Sequence, residues 1–355
     1  MLHLHTLWFV VIAFFWTGFF VLEGFDFGVG MLHAVVGRDE CERTAAIDAI
    51  GPFWDANEVW LVVAGAGMFA AFPGWYATAF SALYLALLIV LAALMLRGVS
   101  FEFRSKLSGA RWRRSWRWAT ITGSALAPLV LGIGLGDLLN GLPVNSSRDY
   151  TGNFFDLFTG YGIWTGVALL VLSAWHGAIF LSLKTTGPVR ERSHAVARAL
   201  AWAAIAMVFG FTAYTRAVVG PGFPSTLMAL AVLAVLAAAY LVYSRHEGWA
   251  FAASALVIAT VVGSIFIGLY PNLLVSSTNA AYNLTVSNSS SAGYALTVMT
   301  IVAVIFVPVV LLYETWSYHV FRARVSSGPV DPISTRPAES APVEPRAGIT
   351  GARRG

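Results

Sequence analysis

The sequence predicts an all-α integral membrane protein with nine transmembrane helices. Of its 355 residues, 58% are hydrophobic and only 11% are charged, whereas a soluble domain carries roughly 25% charged residues. A bilayer core of ~30 Å is spanned by ~20 helical residues. Nine apolar runs reach that length, at about 6–32, 49–72, 77–101, 117–139, 154–181, 196–214, 226–243, 249–270 and 292–320. No small-residue cleavage site precedes the acids of the first run, so this run is expected to remain in the mature protein.

The basic residues predict the orientation of these spans. With nine spans, only Arg148 and Arg216 fall on the side of the N-terminus, and the other twenty of the 22 Lys and Arg residues fall on the opposite side. This count places Arg97 in a cytoplasmic loop with the basic residues between 104 and 117. Because Lys and Arg collect in cytoplasmic loops, the N-terminus is predicted outside and the C-terminus in the cytoplasm. These loops also account for the net charge of +4, so no nucleic-acid partner is indicated.

The chain is predicted to have two parts. Residues 1–324 hold all nine spans and form a transmembrane domain. Residues 325–355 are rich in Pro, Ala, Ser and Glu without an apolar period, which is typical of a disordered tail. The single cysteine, Cys41, excludes an intrachain disulfide and an iron–sulfur site built from this chain alone. No metal site and no nucleotide-binding motif is predicted.

Two carboxylates lie inside the first span. Glu23 and Asp26 are three residues apart and fall roughly 10–15 Å from the predicted cytoplasmic end, at 1.5 Å per residue. A charge in a membrane is costly, so such residues usually face a polar interior or mark an ion path. Gly24, Gly28 and Gly30 allow another helix to approach closely. These glycines favour a packing role around the pair.

Asp55, Asn57 and Glu58 open the second span, within the stretch Gly51–Trp60. They lie about two to three turns from the same cytoplasmic end. The two acids either hold the fold or a subunit interface through hydrogen bonds, or they relay protons or bind a cation. Both interpretations stay open for both acid pairs.

His176 and Glu314 fall in the same half of the membrane as the four acids. If the spans that carry them are neighbours, a polar cluster facing the cytoplasm is expected. His176 is either a haem or metal ligand or a hydrogen-bonded packing residue. The other histidines fall at helix ends or in loops, whereas haem sites use His or Met from facing helices. This chain is therefore not expected to ligate haem by itself.

Five stretches resemble subunit II of cytochrome bd-type quinol oxidases. They are Leu22–Gly30, Gly51–Leu61, Phe69–Pro73, Lys184–Gly187 and Phe306–Tyr318. The sequence WD-small-NEVW after Gly-Pro is the most specific of them, although the family usually has glycine where this chain has Ala56. The resemblance covers all nine spans and leaves out the tail.

The resemblance implies two four-helix bundles plus one peripheral helix, paired with a related subunit I. Subunit I would carry haems b and d and oxidise a membrane quinol, and the complex would reduce dioxygen to water. Asp55, with Glu58, would belong to a cytoplasmic proton path, and Glu23, Asp26, Asn57, His176 and Glu314 would support it. Trp60, with Trp54 beside it, would line a lateral dioxygen entry, although helix packing explains Trp60 equally well.

Further expectations concern binding partners and location. The resemblance implies a bacterial or archaeal plasma membrane. Some members of the family hold a quinone within subunit II as a structural lipid, and a small accessory subunit is a further candidate partner; the sequence leaves both open here. Two other functions compete with the oxidase. One is a cation-coupled secondary transporter with inverted repeats and broken helices. The other is a purely structural partner that shields a catalytic subunit from lipid.

Overall fold

The computed structural model describes residues 4–107, 109–220 and 223–326 and is built almost entirely of helices. The helices are α1 (Leu4–Val36), α2 (Glu40–Asp48), α3 (Trp54–Ala71), α4 (Pro73–Ala82), α5 (Tyr84–Phe103), α6 (Ala110–Asn140), α7 (Gly160–Lys184), α8 (Gly187–Val219), α9 (Ser225–Tyr243), α10 (Glu247–Leu269) and α11 (Gly293–Val320). Two short strands, β1 (Asn272–Leu274) and β2 (Leu284–Thr285), pair antiparallel.

Eight of the helices in the described ranges are long and apolar enough to cross a membrane. They are α1, α5, α6, α7, α8, α9, α10 and α11. The helix of the second predicted span, 49–72, is not apolar enough to be counted among them. This helix, α3, begins only at Trp54 and has 18 residues, and the polar residues Asp55, Asn57 and Glu58 lower the hydropathy of its first turns.

Several predicted spans differ in detail from the observed helices. Helices α6 and α8 begin seven and nine residues before the spans predicted at 117 and 196. The third span, 77–101, is divided at Leu83 into α4 and α5, and α4 begins with Pro73, which cannot continue the helix before it. The fifth span begins at Gly160, because Asn153 caps a separate short 3₁₀ helix at Phe154–Leu157. The short helix α2 lies between the first two spans and was not predicted. Asp39 caps it by accepting from the backbone N–H of Glu42.

Helix α1 lies at the centre of the fold and packs against α3, α6, α7 and α10. Its closest approach is to α7, where a methyl group added to Gly28 would lie 2.1 Å from the carbonyl oxygen of Ser173, and one added to Gly177 would lie 2.5 Å from Gly28. Gly30 meets Ser124 of α6 in the same way. The glycines of the first span therefore allow close helix packing, as the sequence predicted.

Helix α11 lies at the edge of the molecule and packs mainly on α1 and α3. One end is held by Trp8, whose indole N–H donates to Thr300 Oγ1 at 3.0 Å. The other end is held by Lys184, whose ammonium group donates to the carbonyl oxygens of Phe321 and Ala323. Between these ends the helix leaves a groove against α1 and α3.

The chain beyond α11 is anchored to the helix ends beside it. Val325, the first residue of the predicted tail, pairs with Thr185, and Arg324 contacts Glu247 at 2.8 Å. Val325 is therefore ordered, and the predicted tail from 327 onward lies outside the described residues. We call this end of the molecule the basic end. It holds the ends of α1, α5, α7, α9 and α11 and the starts of α2, α3, α6, α8 and α10.

Candidate functional site

The first acid pair is completely buried in the helix bundle. Glu23 and Asp26 each have no exposed surface. The guanidinium of Arg97, on α5, donates to Glu23 Oε1, and Arg97 itself is 1% exposed. Assigning Arg97 to a loop was therefore wrong, because it lies in the membrane-length part of α5. Its positive charge lies directly against one of the two buried carboxyl groups.

An amide joins the two acidic spans. Asn57 on α3 is buried and donates from Nδ2 to Asp26 Oδ2 at 2.7 Å. Its other amide atom, Oδ1, accepts from the Tyr318 hydroxyl of α11 at 3.0 Å. This arrangement connects α1, α3 and α11 through one side chain. Because an amide offers both donors and an acceptor, Asn57 can satisfy an acid on one side and a hydroxyl on the other.

Five buried polar atoms around this network have no protein hydrogen-bond partner among the described residues. They are Glu23 Oε2, Asp26 Oδ1, Arg97 Nε, Arg97 Nη2 and Ser124 Oγ. Buried polar atoms in proteins are nearly always hydrogen-bonded, to protein or to ordered water. The cluster therefore has hydrogen-bonding capacity beyond what its own side chains use. We call Glu23, Asp26, Asn57, Arg97 and Tyr318 the polar core.

The second acid pair lies at the edge of this core. Glu58 is half-buried, whereas Asp55 is exposed on the surface of the isolated chain. Asp55 therefore does not join the buried cluster that the sequence predicted. It shares its exposed face of α3 with Ala56 and Val59, so a carboxylate stands at one end of an apolar surface.

The two tryptophans of α3 have different surroundings. Trp60 is buried, packs edge-on against Phe14 and Phe15, and donates from its indole N–H to Glu314 Oε1 at 2.6 Å. It borders the groove of about 490 Å³ that separates α11 from α1 and α3. Trp54 packs instead against Phe101 of α5, with ring centroids 5.2 Å apart. The structure thus pairs Trp60 with Glu314 and places Trp54 away from that groove.

His176 lies outside the polar core and is enclosed by other side chains. Its ring stacks on Phe251 with centroids 4.5 Å apart, and its Nδ1 is 2.7 Å from Ser254 Oγ. Phe25 packs edge-on against the same ring. This geometry supports the hydrogen-bonded packing role and leaves no open side for a haem. Within the described ranges, no group of three or more His, Cys, Asp or Glu could hold a metal.

Three residues of these polar sites were not expected from the sequence. Arg97 lies inside the third predicted span. A basic residue within an apolar run was a signal that it pairs with the acids of the first span. Tyr318 lies in a motif that was recognised, but nothing in the sequence indicated its partner. Asp137, at the end of α6 remote from the basic end, is buried and accepts from Thr159 Oγ1 at 2.6 Å. It is a further acid inside a predicted span.

Comparisons with known proteins agree with the resemblance. The model of the family described as cytochrome bd terminal oxidase subunit II matches residues 4–321. Cytochrome bd ubiquinol oxidase subunit 2 of Bacillus subtilis is 41% identical over an alignment of 334 positions, gaps included, which covers 92% of this chain and 98% of that protein. Cytochrome bd-I ubiquinol oxidase subunit 2 of Escherichia coli is 34% identical over 366 aligned positions, which cover 92% of this chain and 97% of that protein.

The fold also matches a solved structure. A chain of the bd oxidase from Geobacillus thermodenitrificans superposes with a TM-score of 0.72 at 18% identity, over 90% of this chain and 98% of that one. At this identity the match supports the fold only.

Proposed function

This chain belongs to the cytochrome bd terminal oxidase subunit II family, and from that premise we propose that it delivers protons to a haem-bearing subunit I that reduces dioxygen to water with electrons from a membrane quinol. The family makes the chain a multi-pass membrane subunit of a terminal quinol oxidase, with a subunit I as its partner. The observation that supports the proton role is the row of acids from exposed Asp55 through half-buried Glu58 to the buried polar core.

We infer that the chain crosses a bacterial plasma membrane nine times, with the basic end in the cytoplasm. The 18 residues of α3 span roughly 27 Å at 1.5 Å per residue, close to the ~30 Å of a bilayer core. Contacts close α7, α8, α9 and α10 into one bundle. Helix α1 packs on α3 and α6, and α6 packs on α5, which supports a second group that meets the first where α7 contacts α1 and α6, with α11 peripheral.

Asp55 is proposed as the residue that takes up protons. Its carboxylate is exposed at the start of α3, near the basic end, and the face beside it is apolar. A charge on such a face is costly in lipid, so we propose that subunit I covers it. Glu58 lies one turn further into the membrane and is partly shielded. Protons would pass from Asp55 to Glu58 and on to subunit I along this covered face.

The polar core has a supporting role in this scheme. Arg97, Asn57 and Tyr318 fix the carboxylates of Glu23 and Asp26 beside α3. The unpaired atoms Glu23 Oε2 and Asp26 Oδ1 can bind water, and ordered water is the usual partner of such groups. Alanine at Glu23 or Asp26 should therefore reduce assembly or activity. Normal assembly and activity in both variants would exclude them from the path.

The haems are proposed to lie in subunit I, because the environment of His176 does not fit a haem ligand. A quinone, in contrast, fits a cavity within this chain. An apolar cavity of about 490 Å³ lies between α3, α4, α5 and α6 and is bordered by Trp75. The indole N–H of Trp75 is buried and has no partner among the described residues. It could donate to a quinone carbonyl while the apolar walls hold the isoprenoid chain.

The groove beside Trp60 is proposed as the dioxygen entry. Filling it with Val63→Trp should raise the KM for dioxygen, while the rate at saturating dioxygen stays unchanged. Val63 borders the groove, whereas Val304 is 68% exposed on α11 and does not border it, so Val304→Trp is the matched control. Oxygen-electrode measurements at limiting dioxygen would show the difference. An unchanged KM in Val63→Trp would indicate that Trp60 serves packing alone.

The proposed function as a whole is tested by purification. An affinity tag on this chain should bring down a second large subunit from detergent-solubilised membranes, and the preparation should absorb in the red, as haem d does. It should also oxidise quinol at the expense of dioxygen. A colourless preparation without a partner would contradict the oxidase assignment and favour a transporter.

A further inference from the structure

The hairpin between α5 and α6 carries a concentration of positive charge. The stretch 104–118 contains six basic residues and no acidic residue. We use the name basic hairpin for the five of them that have no carboxylate within 4 Å among the described residues. They are Lys106, Arg111, Arg113, Arg114 and Arg117.

Most other cations at the basic end are ion-paired. Arg190 and Arg324 both contact Glu247 at 2.8 Å, and Arg245 contacts Glu191 at 3.0 Å. Arg192 donates to Glu42 of α2, and its guanidinium holds the pKa of that carboxyl below its usual value. Among the described residues of this end, the arginines without a carboxylate partner outside the hairpin lie apart in the chain, at Arg38, Arg198 and Arg322. The general enrichment of Lys and Arg in cytoplasmic loops does not explain why five such cations collect in one hairpin.

The basic hairpin is also unfavourable for its own helix. Arg113 and Arg117 are four residues apart on α6, where like charges repel. Both are half-buried, so water screens them less than it screens Arg111 and Arg114, which are exposed. Cations in the first turns of a helix are disfavoured as well. An anion held between these side chains would remove both costs.

Aromatic side chains place the basic hairpin at the level of lipid headgroups. Trp112 and Trp116 pack edge-on with centroids 5.4 Å apart, and Phe103 packs on Trp116 at 5.7 Å. The indole N–H of Trp112 donates to the carbonyl oxygen of Phe103 at 2.9 Å, which ties α6 to the end of α5. Trp118 is 60% exposed on the next turn. Tryptophans collect where the acyl chains meet the headgroups, so the neighbouring arginines lie within reach of phosphates.

We propose that the basic hairpin binds the headgroup of an anionic phospholipid, with Arg113 and Arg117 on the phosphate and the tryptophans beside its acyl chains. Arginine suits this task because its planar fork can donate two hydrogen bonds to one phosphate. Lys106, Arg111 and Arg114 would add attraction at longer range. An acidic surface of subunit I could also attract these cations. The exposed Trp118 and the position of the hairpin at the level of the headgroups favour a lipid instead.

The test uses the intact two-subunit complex in nanodiscs that contain phosphatidylglycerol and phosphatidylcholine. Native mass spectrometry after stepwise delipidation would count the phosphatidylglycerol molecules retained. The variant is Arg113→Gln, Arg114→Gln, Arg117→Gln. The control removes the same charge at the same end with Arg198→Gln, Arg245→Gln, Arg322→Gln. The variant should retain the tightest phosphatidylglycerol about tenfold less than wild type, and the control should retain it normally.

A second variant separates binding from insertion. Arg113→Lys, Arg114→Lys, Arg117→Lys keeps the charge that orients the helices but removes the planar fork, so it should insert normally and retain an intermediate amount of lipid. Labelling of the exposed Cys41 with a membrane-impermeant maleimide would check the orientation of each variant. Equal lipid loss in the glutamine variant and its control would contradict the proposal.

Two further outcomes would also overturn it. Displacement of the lipid by millimolar inorganic phosphate would mean that the basic hairpin recognises free phosphate and not a lipid. Protection of its arginines from modification by subunit I in the delipidated complex would assign it to a subunit contact. Neither result would affect the proposed oxidase function, which rests on quinol oxidation and the haem spectrum.

Discussion

Arg97→Ala is expected to prevent accumulation of the assembled oxidase. Its guanidinium is the cation that contacts Glu23 in the described structure, and both groups are buried. Breaking a buried ion pair by removing one partner costs about 3–5 kcal/mol, because the other charge is left uncompensated. Glu23 also lies on the same helix as Asp26, so losing Arg97 would leave two acids facing each other. The amount of complex recovered from membranes, and its haem content, would measure the effect.

A double variant gives the control for this prediction. Arg97→Met combined with Glu23→Gln removes both charges and keeps similar volumes, and replacing a whole buried pair is often tolerated. It should therefore restore part of the assembly that Arg97→Ala loses. Arg322→Ala, at an exposed arginine just beyond α11, should leave assembly unchanged. If Arg97→Ala accumulated as well as Arg322→Ala, the ion pair would not stabilise the fold.

Asp55→Asn is expected to lower the turnover of a fully assembled, haem-replete complex by about tenfold or more, as removal of a proton-transferring group does. The change keeps the shape of the side chain, and Asp55 is exposed and outside the polar core, so folding should not suffer. A protein that only shields subunit I from lipid should tolerate the amide. Steady-state quinol oxidation, normalised to haem, would measure the loss.

The matched control is Glu102→Gln, since Glu102 is another exposed carboxylate at the basic end but lies on α5 and has no part in the proposed proton path. It should retain wild-type turnover. Glu58→Gln should lower turnover as Asp55→Asn does, because protons would pass through Glu58. Wild-type turnover in Asp55→Asn would remove this residue from the mechanism.

The sequence predicted the positions of the helices better than their interruptions. Long apolar runs locate each helix, because bilayer thickness fixes the length of its apolar part. They do not report the polar first turns of α6 and α8, which begin seven and nine residues before the spans predicted at 117 and 196. The division at Leu83 and the short helix α2 depend on local turns and capping, which apolar length does not report. Asp55, Asn57 and Glu58 occupy the first turns of α3. They lower the hydropathy of this helix, and they are also its candidate functional residues.

The polar core was predicted in part. Glu23, Asp26 and Asn57 could be expected to meet because their depths in the membrane agree. Depth alone does not say which way a side chain points around its helix, so it did not separate exposed Asp55 from the buried acids. Depth likewise did not show that the His176 ring faces Phe251 and not the buried acids. Arg97 was missed because loop counting treats any arginine near a helix end as solvated.

Proton uptake during a single turnover would show whether Asp55 carries protons to subunit I. The reduced complex would be mixed with dioxygen in weakly buffered solution containing a pH-sensitive dye, while haem oxidation is followed in the same sample. Asp55→Asn should slow proton uptake and the oxidation steps coupled to it, while reduction of the haems by quinol keeps its normal rate. Proton uptake at the wild-type rate in this variant would contradict the proposed path through this subunit.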